Sequence, residues 1–252
     1  MKYTDLIFDL YGTLVDIHTD ETDMVWQECA HFFVSKGVNI DGKTLKERHR
    51  QIVLRREGSE GQSYECYPDV PFDEVLEEIL VENGVAKGAR DVAIEGARLF
   101  RQRSTEYIRC YPHVFEALDR FREQGRRLWL LSNAQQVFTW HELVDLGLDK
   151  VFDGIYISSN YGCRKPDARF YNALIEEQNL EVESCLMIGN DRDTDIAGAK
   201  ALGMATLYMH TALTPYDQKE ADENLHPLRC DGKHFEYEGE DWQDLASIIE
   251  KM

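Results

Sequence analysis

Short apolar runs alternate along this chain with segments in which apolar residues recur every three or four positions. The first kind of segment predicts buried strands, and the second predicts amphipathic helices. The first strand pattern, residues 6–8, ends at Asp9 and precedes a long helical stretch. Later strand patterns lie at 127–131, 154–158, 184–188 and 205–209, and helical patterns at 114–124, 136–146, 170–178, 196–202 and 241–252. This alternation predicts an α/β fold with a parallel, doubly wound sheet.

The long helical stretch after the first strand contains several separate patterns. They lie at residues 21–36, 45–56, 72–82 and 89–108. A polar, glycine-rich segment at 57–64 separates the second from the third and predicts a loop. We therefore expect a four-helix insertion at residues 18–108, with residues 1–17 and 109–252 forming the core domain. Residues 211–239 are polar and predict irregular structure.

Charge and composition limit the partners. The formal net charge of −19 repels phosphodiester backbones and anionic lipids, so we expect neither nucleic acid nor a membrane as a partner. No apolar run approaches the roughly 20 residues of a membrane span, and no leader pattern is visible, which predicts a cytoplasmic protein. We expect a monomer or a homodimer. The absence of a CxxC pair predicts reduced, mostly buried thiols at Cys29, Cys66, Cys110, Cys163, Cys185 and Cys230.

Several polar groups stand at the carboxyl ends of the predicted strands. Asp9 follows the first strand, where a carboxylate is placed to act as a covalent nucleophile. Because parallel strands end at one edge of the sheet, Ser132 and the acidic turn 190–195 are expected to converge with it. Each group alone also has a structural explanation. Asp9 or Ser132 could cap a helix, and Lys165 could be a solvated loop residue. Asp191, Asp193 and Asp195 could form a solvated acidic turn that caps the next helix, which is the explanation favoured for Asp193. Their joint occurrence in order favours a functional site.

Four ordered stretches resemble the motifs of the haloacid dehalogenase superfamily. They are Asp9-Leu10-Tyr11-Gly12-Thr13, Ser132, Lys165-Pro166, and Gly189-Asn190-Asp191 with Asp195. The resemblance covers nearly the whole chain and implies a Rossmann-like core with a helical cap inserted after the first motif. It implies that Asp9 attacks phosphorus or carbon and forms an aspartyl intermediate. It also implies that Ser132 and Asn133 bind the substrate and that Lys165 binds it too and compensates charge at the nucleophile.

The same resemblance implies a metal in the phosphatase branch. Mg²⁺ would be held by one or two groups of the fourth motif, among Asn190, Asp191 and Asp195. Mg²⁺ prefers carboxylate and carbonyl oxygens with several retained waters, so Asp9 and the Tyr11 carbonyl would complete the ligand set. The ion would offset the repulsion between an attacking carboxylate and a phosphate dianion.

Two residues depart from the phosphatase pattern. Tyr11 stands where the family's phosphatases usually carry a second Asp, which is their general acid and base. A Tyr, with an ordinary pKa near 10, is a poor substitute and favours a leaving group of low basicity, such as a halide, an acyl phosphate or an anhydride. Asn190 replaces the usual first Asp of the fourth motif. Tyr11 and Thr13, which alone could be a turn residue, remain in the expected catalytic set.

We expect a hydrolase, namely a Mg²⁺-dependent phosphatase that acts on a small phosphorylated metabolite. The acidic fourth motif favours a metal, since three carboxylates in one pocket repel each other. A metal-independent 2-haloacid dehalogenase is the alternative, because that branch carries Tyr at the position of Tyr11. That branch binds the substrate carboxylate with an arginine, and the sequence has no convincing counterpart of it, although Arg48, Arg50 and Arg55 lie in the insertion and could supply one. A catalytically weak phosphate-binding protein is a third possibility. Residues of the insertion that face the crevice are expected to set specificity.

Overall fold

The computed structural model describes residues 2–58, 67–215 and 228–252. Its strands are β1 Asp5–Phe8, β2 Val15–Thr19, β3 Thr105–Cys110, β4 Arg127–Ser132, β5 Gly154–Ile157, β6 Cys185–Gly189, β7 Ala205–His210, β8 Leu228–Asp231 and β9 His234–Glu238. Seven of them form one sheet in the order β5-β4-β1-β6-β7-β9-β8, in which only the β8–β9 pair is antiparallel. The predicted α/β class with a mainly parallel sheet is confirmed.

Helices cover both faces of this sheet. Along the described chain they are α1 Asp23–Ser35, α2 Gly42–Glu57, α3 Phe72–Glu82, α4 Ala89–Ser104, α5 Val114–Glu123, α6 Gln136–Leu146, α7 Ala168–Gln178, α8 Ala197–Ala201 and α9 Trp242–Ile249. Leu6 and Phe8 of β1 pack with α5 and α9, whereas Ile7 packs with α7 and α8 on the opposite face. Because both faces of the sheet are covered by helices, side chains on either side of β1 are buried. The consecutive residues Leu6, Ile7 and Phe8 are therefore all apolar.

Helices α1 to α4 share a hydrophobic core, to which Val137 of α6 also belongs. Rings of Trp26, Phe72 and Phe100 meet there, with centroids 4.6 to 6.1 Å apart. The chain enters and leaves this four-helix insertion through the antiparallel pair β2–β3, in which Ile17 lies opposite Ile108. The predicted domain boundaries fall on this pair of residues. The division into two domains stays a prediction.

The β2–β3 pair was not predicted from the sequence, and the predicted helix at 89–108 was wrong beyond Ser104. The helix ends at the Arg101 carbonyl, which accepts from the Thr105 N–H and from the hydroxyls of Ser104 and Thr105. The following residues pair with β2 instead. The helical pattern was extended over β3 because its partner strand, β2, lies about 90 residues earlier in the sequence. Local periodicity carries no information about such a distant partner.

Strands β8 and β9 lie in the segment that was predicted to be irregular. Strand β9 extends the main sheet, with Leu207 of β7 opposite Phe235. A local signal existed, because Phe235 and Tyr237 alternate with glutamates. The remainder of this segment, residues 216–227, lies outside the described residues.

Five of the six cysteines are free thiols, as predicted: Cys29, Cys110, Cys163, Cys185 and Cys230. Cys66 lies outside the described residues, as does most of the predicted loop at 57–64. No helix in the described part of the chain is long and apolar enough to cross a membrane.

Candidate active site

Asp9 continues the first strand at the carboxyl edge of the sheet. Its N–H donates to the Ile188 carbonyl at 2.9 Å, which extends the β1–β6 ladder by one residue. Gly12 then turns the chain at a φ of 85°, and a Cβ added there would lie 2.1 Å from Nδ2 of Asn190. A glycine is therefore required for both conformation and space. The turn brings the first and fourth motifs into contact.

Lys165 is the central charge of the site. Its ammonium donates to Oδ1 of Asp9 at 2.7 Å, to Oδ1 of Asp195 at 2.6 Å and to the Leu131 carbonyl at 2.7 Å. The side chain is 1% exposed, so it is not the solvated loop lysine of the structural alternative. Burial opposes its charge, but the two carboxylates outweigh burial and raise the pKa of Lys165. All three N–H donors are used, which fixes both carboxylates.

Asp195 is buried behind Asp9. Its Oδ2 accepts a hydrogen bond from the Asp191 N–H at 3.0 Å, and a Cβ on Gly189 would lie 2.3 Å from this oxygen. Burial raises the pKa of Asp195, while Lys165 opposes that shift. Both carboxylate oxygens of Asp195 thus have protein donors.

Asp191 caps the turn that follows β6. Its Oδ1 accepts hydrogen bonds from the N–H groups of Asp193 at 2.9 Å and Thr194 at 3.2 Å. Of the three carboxylates in this acidic turn, Asp191 is therefore the cap, while the Asp193 side chain is exposed. A cap needs its carboxylate one position before the turn begins, and the π-helical turn begins at Arg192.

Ser132 and Asn133 follow the neighbouring strand β4. The Ser132 hydroxyl is 1% exposed, and its oxygen has no hydrogen-bond partner among the described residues. Asn133 holds the backbone of Lys165 on both sides: its Nδ2 donates to the Lys165 carbonyl at 2.9 Å, and its Oδ1 accepts from the Lys165 N–H at 2.7 Å. The Asn133 amide is therefore already bound to backbone, whereas the Ser132 hydroxyl has no partner among the described residues.

The hydroxyl of Tyr11 is bound to helix α6. It donates to Glu142 and lies 3.0 Å from the Thr139 hydroxyl, while the Arg101 guanidinium lies 5.5 Å from the ring centroid. Arg101 of α4 also donates to Glu142 at 2.6 Å. Burial, with Glu142 next in effect, raises the pKa of Tyr11 far above its ordinary value. The hydroxyl therefore stays protonated and serves as a donor. No local sequence pattern marked Arg101 or Glu142.

A cavity of about 220 Å³ opens in front of Asp9. Its described lining consists of Asp9, Tyr11, Asn133, Lys165, Asn190, Asp191, Thr194, Asp195, Leu213 and Pro215. None of these described lining residues comes from the insertion, contrary to the expectation for specificity. The loop after β7 supplies Leu213 and Pro215 instead, because β7 ends at the same edge of the sheet as β1. The Thr211 hydroxyl in this loop donates to the Gly12 carbonyl at 2.7 Å and so fixes the loop beside the first motif.

The oxygen atoms beside Thr13 are candidates for a metal site. The Thr13 hydroxyl lies 3.4 Å from both Oδ2 of Asp9 and Oδ1 of Asn190. Within the described ranges, no three His, Cys, Asp or Glu side chains form a metal-binding group. One carboxylate with neutral oxygens and waters nevertheless fits Mg²⁺, which is often bound by one or two carboxylates.

The three arginines considered for a substrate carboxylate lie in exposed ion pairs on the insertion. Arg48 pairs with Glu82, Arg50 with Glu47 and Arg55 with Glu78. None of these three candidates lines the described cavity wall.

The α/β fold and the buried cluster of Asp9, Lys165 and Asp195 at the carboxyl edge of its sheet agree with the arrangement that the four sequence motifs implied. The family model of the haloacid dehalogenase-like hydrolases matches residues 6–203, and the chain belongs to this family. It is therefore a hydrolase.

The relatives include both phosphatases and a dehalogenase. A glyceraldehyde 3-phosphate phosphatase of Methanocaldococcus jannaschii is 22% identical over 98% of this chain and 97% of its own. A phosphoserine phosphatase of Thermus thermophilus is 31% identical over 58% of each chain. The crystal structure of a 2-haloacid dehalogenase from Pseudomonas syringae superposes with a TM-score of 0.62 at 17% identity and 99% coverage of both chains. This last similarity shows the shared fold.

Proposed function

We propose that this protein is a phosphatase that hydrolyses a small phosphorylated metabolite through an aspartyl-phosphate on Asp9. The observation that carries the proposal is the buried Lys165 ammonium, which is held against Asp9 at the end of a 220 Å³ cavity. Phosphatases among the relatives support the substrate class. The expected cytoplasmic location and the monomeric or dimeric state stay predictions.

The reaction would proceed in two displacements at phosphorus. A carboxylate oxygen of Asp9 forms a bond to phosphorus, while the bond from phosphorus to the leaving oxygen breaks and its electron pair leaves with that oxygen. Water then attacks the phosphorus of the aspartyl-phosphate and releases phosphate, which restores the carboxylate. Lys165 binds Oδ1 of Asp9 in both states and therefore fixes the carboxylate's orientation.

The other residues bind and orient the transferred group. The Ser132 hydroxyl, which lacks a protein partner, is available to a phosphoryl oxygen. Asn133 would act through the Lys165 backbone that it holds and through its place in the cavity wall. Asp9, the Tyr11 carbonyl and Asn190 would hold Mg²⁺, with Asp191 and Asp195 supporting that turn. The ion would neutralise the charge that develops on the phosphoryl oxygens.

The leaving group must depart without a strong acid beside it. Tyr11 uses its proton to bind Glu142, and its raised pKa makes it a weak proton donor. Substrates whose leaving oxygen is weakly basic, such as acyl phosphates, are therefore expected to react faster than alkyl phosphates.

A 2-haloacid dehalogenase is the second candidate, and Tyr11 is the observation that favours it. A halide needs no proton, so a tyrosine at this position causes no loss. The described cavity wall contains one cationic side chain, Lys165, which is already bound to two carboxylates. A haloacid carboxylate would thus find no free cation there, which places this candidate second.

The test is a comparison of p-nitrophenyl phosphate, acetyl phosphate and 2-chloropropionate, each with Mg²⁺ and with EDTA. We expect Mg²⁺-dependent phosphate release that is fastest with acetyl phosphate. Asp9→Asn is expected to lower turnover by roughly 10³-fold or more. Asp193→Asn, in the exposed part of the acidic turn, is the matched control and should keep activity.

Chloride release that persists in EDTA would replace the proposal with the dehalogenase. Tight binding of inorganic phosphate without turnover of any substrate would instead identify a phosphate-binding protein.

A further inference from the structure

One segment of the insertion is tied to the loop that carries Lys165. Residues 67–71 lead into α3 and run beside residues 158–164 of the core. The Asp69 N–H donates to the Gly162 carbonyl at 3.1 Å, and the Arg164 N–H donates to the Tyr67 carbonyl at 2.9 Å. These backbone bonds end one residue before Lys165.

The Asp69 carboxylate makes a second set of contacts. It is 9% exposed; Oδ1 accepts from the Gln135 side chain at 2.9 Å, and Oδ2 accepts from the Ser158 hydroxyl. Ser158 in turn accepts from the Ala134 N–H at 2.8 Å, and the Gln135 oxygen accepts from the Phe72 N–H at 2.7 Å. One side chain of the insertion therefore contacts both core loops, at residues 134–135 and at 158.

Burial of this carboxylate is costly, and burial raises the pKa of Asp69 against the effect of its hydrogen bonds. A buried carboxylate is tolerated when fixed donors satisfy it, and both side-chain donors here come from the core. If the insertion moved away from the core, the Asp69 carboxylate would lose both of these donors.

The two loops that Asp69 joins are the loops that clamp Lys165. Asn133, which precedes residues 134–135, binds the N–H and the carbonyl of Lys165, and the N–H of the preceding residue, Arg164, donates to the Tyr67 carbonyl. We propose that Asp69 is a positioning residue, which fixes Lys165 beside Asp9 from within the insertion. This part of the insertion is then a fixed brace of the site and not a moving lid. The effect on turnover rests on the proposed phosphatase function, whereas the effect on Lys165 does not.

The test compares Asp69→Ala, Asp69→Asn and Asp5→Ala in the full chain. Asp5 is a matched control, because its buried carboxylate accepts from Trp129 at 2.9 Å and Arg127 at 2.9 Å, at the opposite edge of the sheet. Amide hydrogen exchange, resolved by residue, follows the Lys165 N–H, with the Asp9 N–H as the internal reference. Steady-state kinetics with acetyl phosphate give kcat and KM separately.

In Asp69→Ala we expect exchange at Lys165 to accelerate at least about tenfold while Asp9 stays protected. The kcat should fall by roughly 10- to 100-fold, and KM should change less. Asp69→Asn should recover part of both, since its amide oxygen can still accept from Ser158. Asp5→Ala should change neither.

An unchanged Lys165 exchange rate in a folded Asp69→Ala protein would overturn the proposal. So would a control variant that accelerates Lys165 equally. If Asp69→Ala does not fold, Ser158→Ala removes the same link from the core side and must show the same pattern. A wild-type protein without phosphatase activity would reject the proposed function, and the exchange rates would still decide the role of Asp69.

Discussion

The core crevice and the four-helix insertion place their charges in opposite ways. In the crevice, Lys165 and Asp195 are both 1% exposed, and the Lys165 ammonium binds both Asp195 and Asp9. In the insertion, ion pairs such as Arg48–Glu82 lie at the surface, with side chains 34% and 37% exposed. The interior of the insertion is apolar, with aliphatic side chains around a few aromatic rings.

The exposed charges of the insertion and the buried charges of the crevice therefore need different explanations. Exposed ion pairs contribute about 0–1 kcal/mol each, so the insertion is held together by its apolar core. A buried cluster with two carboxylates and one ammonium costs desolvation energy and is weak evidence for stability. Its presence at the strand ends is explained by the chemistry proposed for Asp9.

The largest effect is expected from removing the central cation of the crevice. Lys165→Met leaves Asp9 and Asp195 buried without a counter-charge, which should lower the free energy of unfolding by about 3–5 kcal/mol and abolish turnover. Urea unfolding of the apoprotein measures the stability change. Lys200→Met, an exposed lysine on α8, should change it by less than about 0.5 kcal/mol. Equal effects of the two variants would contradict the contrast drawn between buried and exposed charge.

A smaller effect is expected from acid, and it should arise in the insertion. His49 packs against Trp26 and Phe72, and burial lowers its pKa from 6.5 to about 4. Between pH 6.5 and pH 4, His49 is therefore protonated in the unfolded chain but mostly neutral in the folded chain. The free energy of unfolding falls as the pH drops through this range. At pH 5 the loss is about 2 kcal/mol.

Urea unfolding at pH 7 and pH 5 checks this contribution. His49→Leu should remove that part of the pH dependence, whereas His31→Leu, at an exposed position of α1, should retain it. If both variants keep the wild-type slope, the buried imidazole is not the acid-sensitive group.

The smallest effect is expected at the contact between the two regions. Glu142→Gln weakens the bonds to Arg101 and Tyr11 and should lower stability by about 1 kcal/mol, because these side chains are only partly buried. Glu82→Gln makes the same change at an exposed ion pair with Arg48 and should have a smaller effect. Thermal unfolding of both variants measures the difference. A larger loss in Glu82→Gln would show that the surface pairs hold the insertion together.

Local patterns in the sequence predicted much of the core correctly. The apolar run before Asp9, the later strand patterns and the helix at 170–178 correspond to β1, β4 to β7 and α7, because buried strands and amphipathic helices depend on nearby residues. Strands β2 and β3 were missed, since their pairing joins residues about 90 positions apart. The alternation in β9 was present in the sequence but was overlooked.

The sequence by itself determined the family, the order of the polar groups along the strand ends and the position of Asp9. Only the tertiary structure decided what each group contacts. It turned Tyr11 toward Glu142, used Asn133 and Asp191 to hold backbone, and brought Asp69 of the insertion to the loops around Lys165. A residue's place after a parallel strand specifies the edge of the sheet at which it lies. Its hydrogen-bond partners, in contrast, belong to segments that are distant in the sequence, so only the folded structure identifies them.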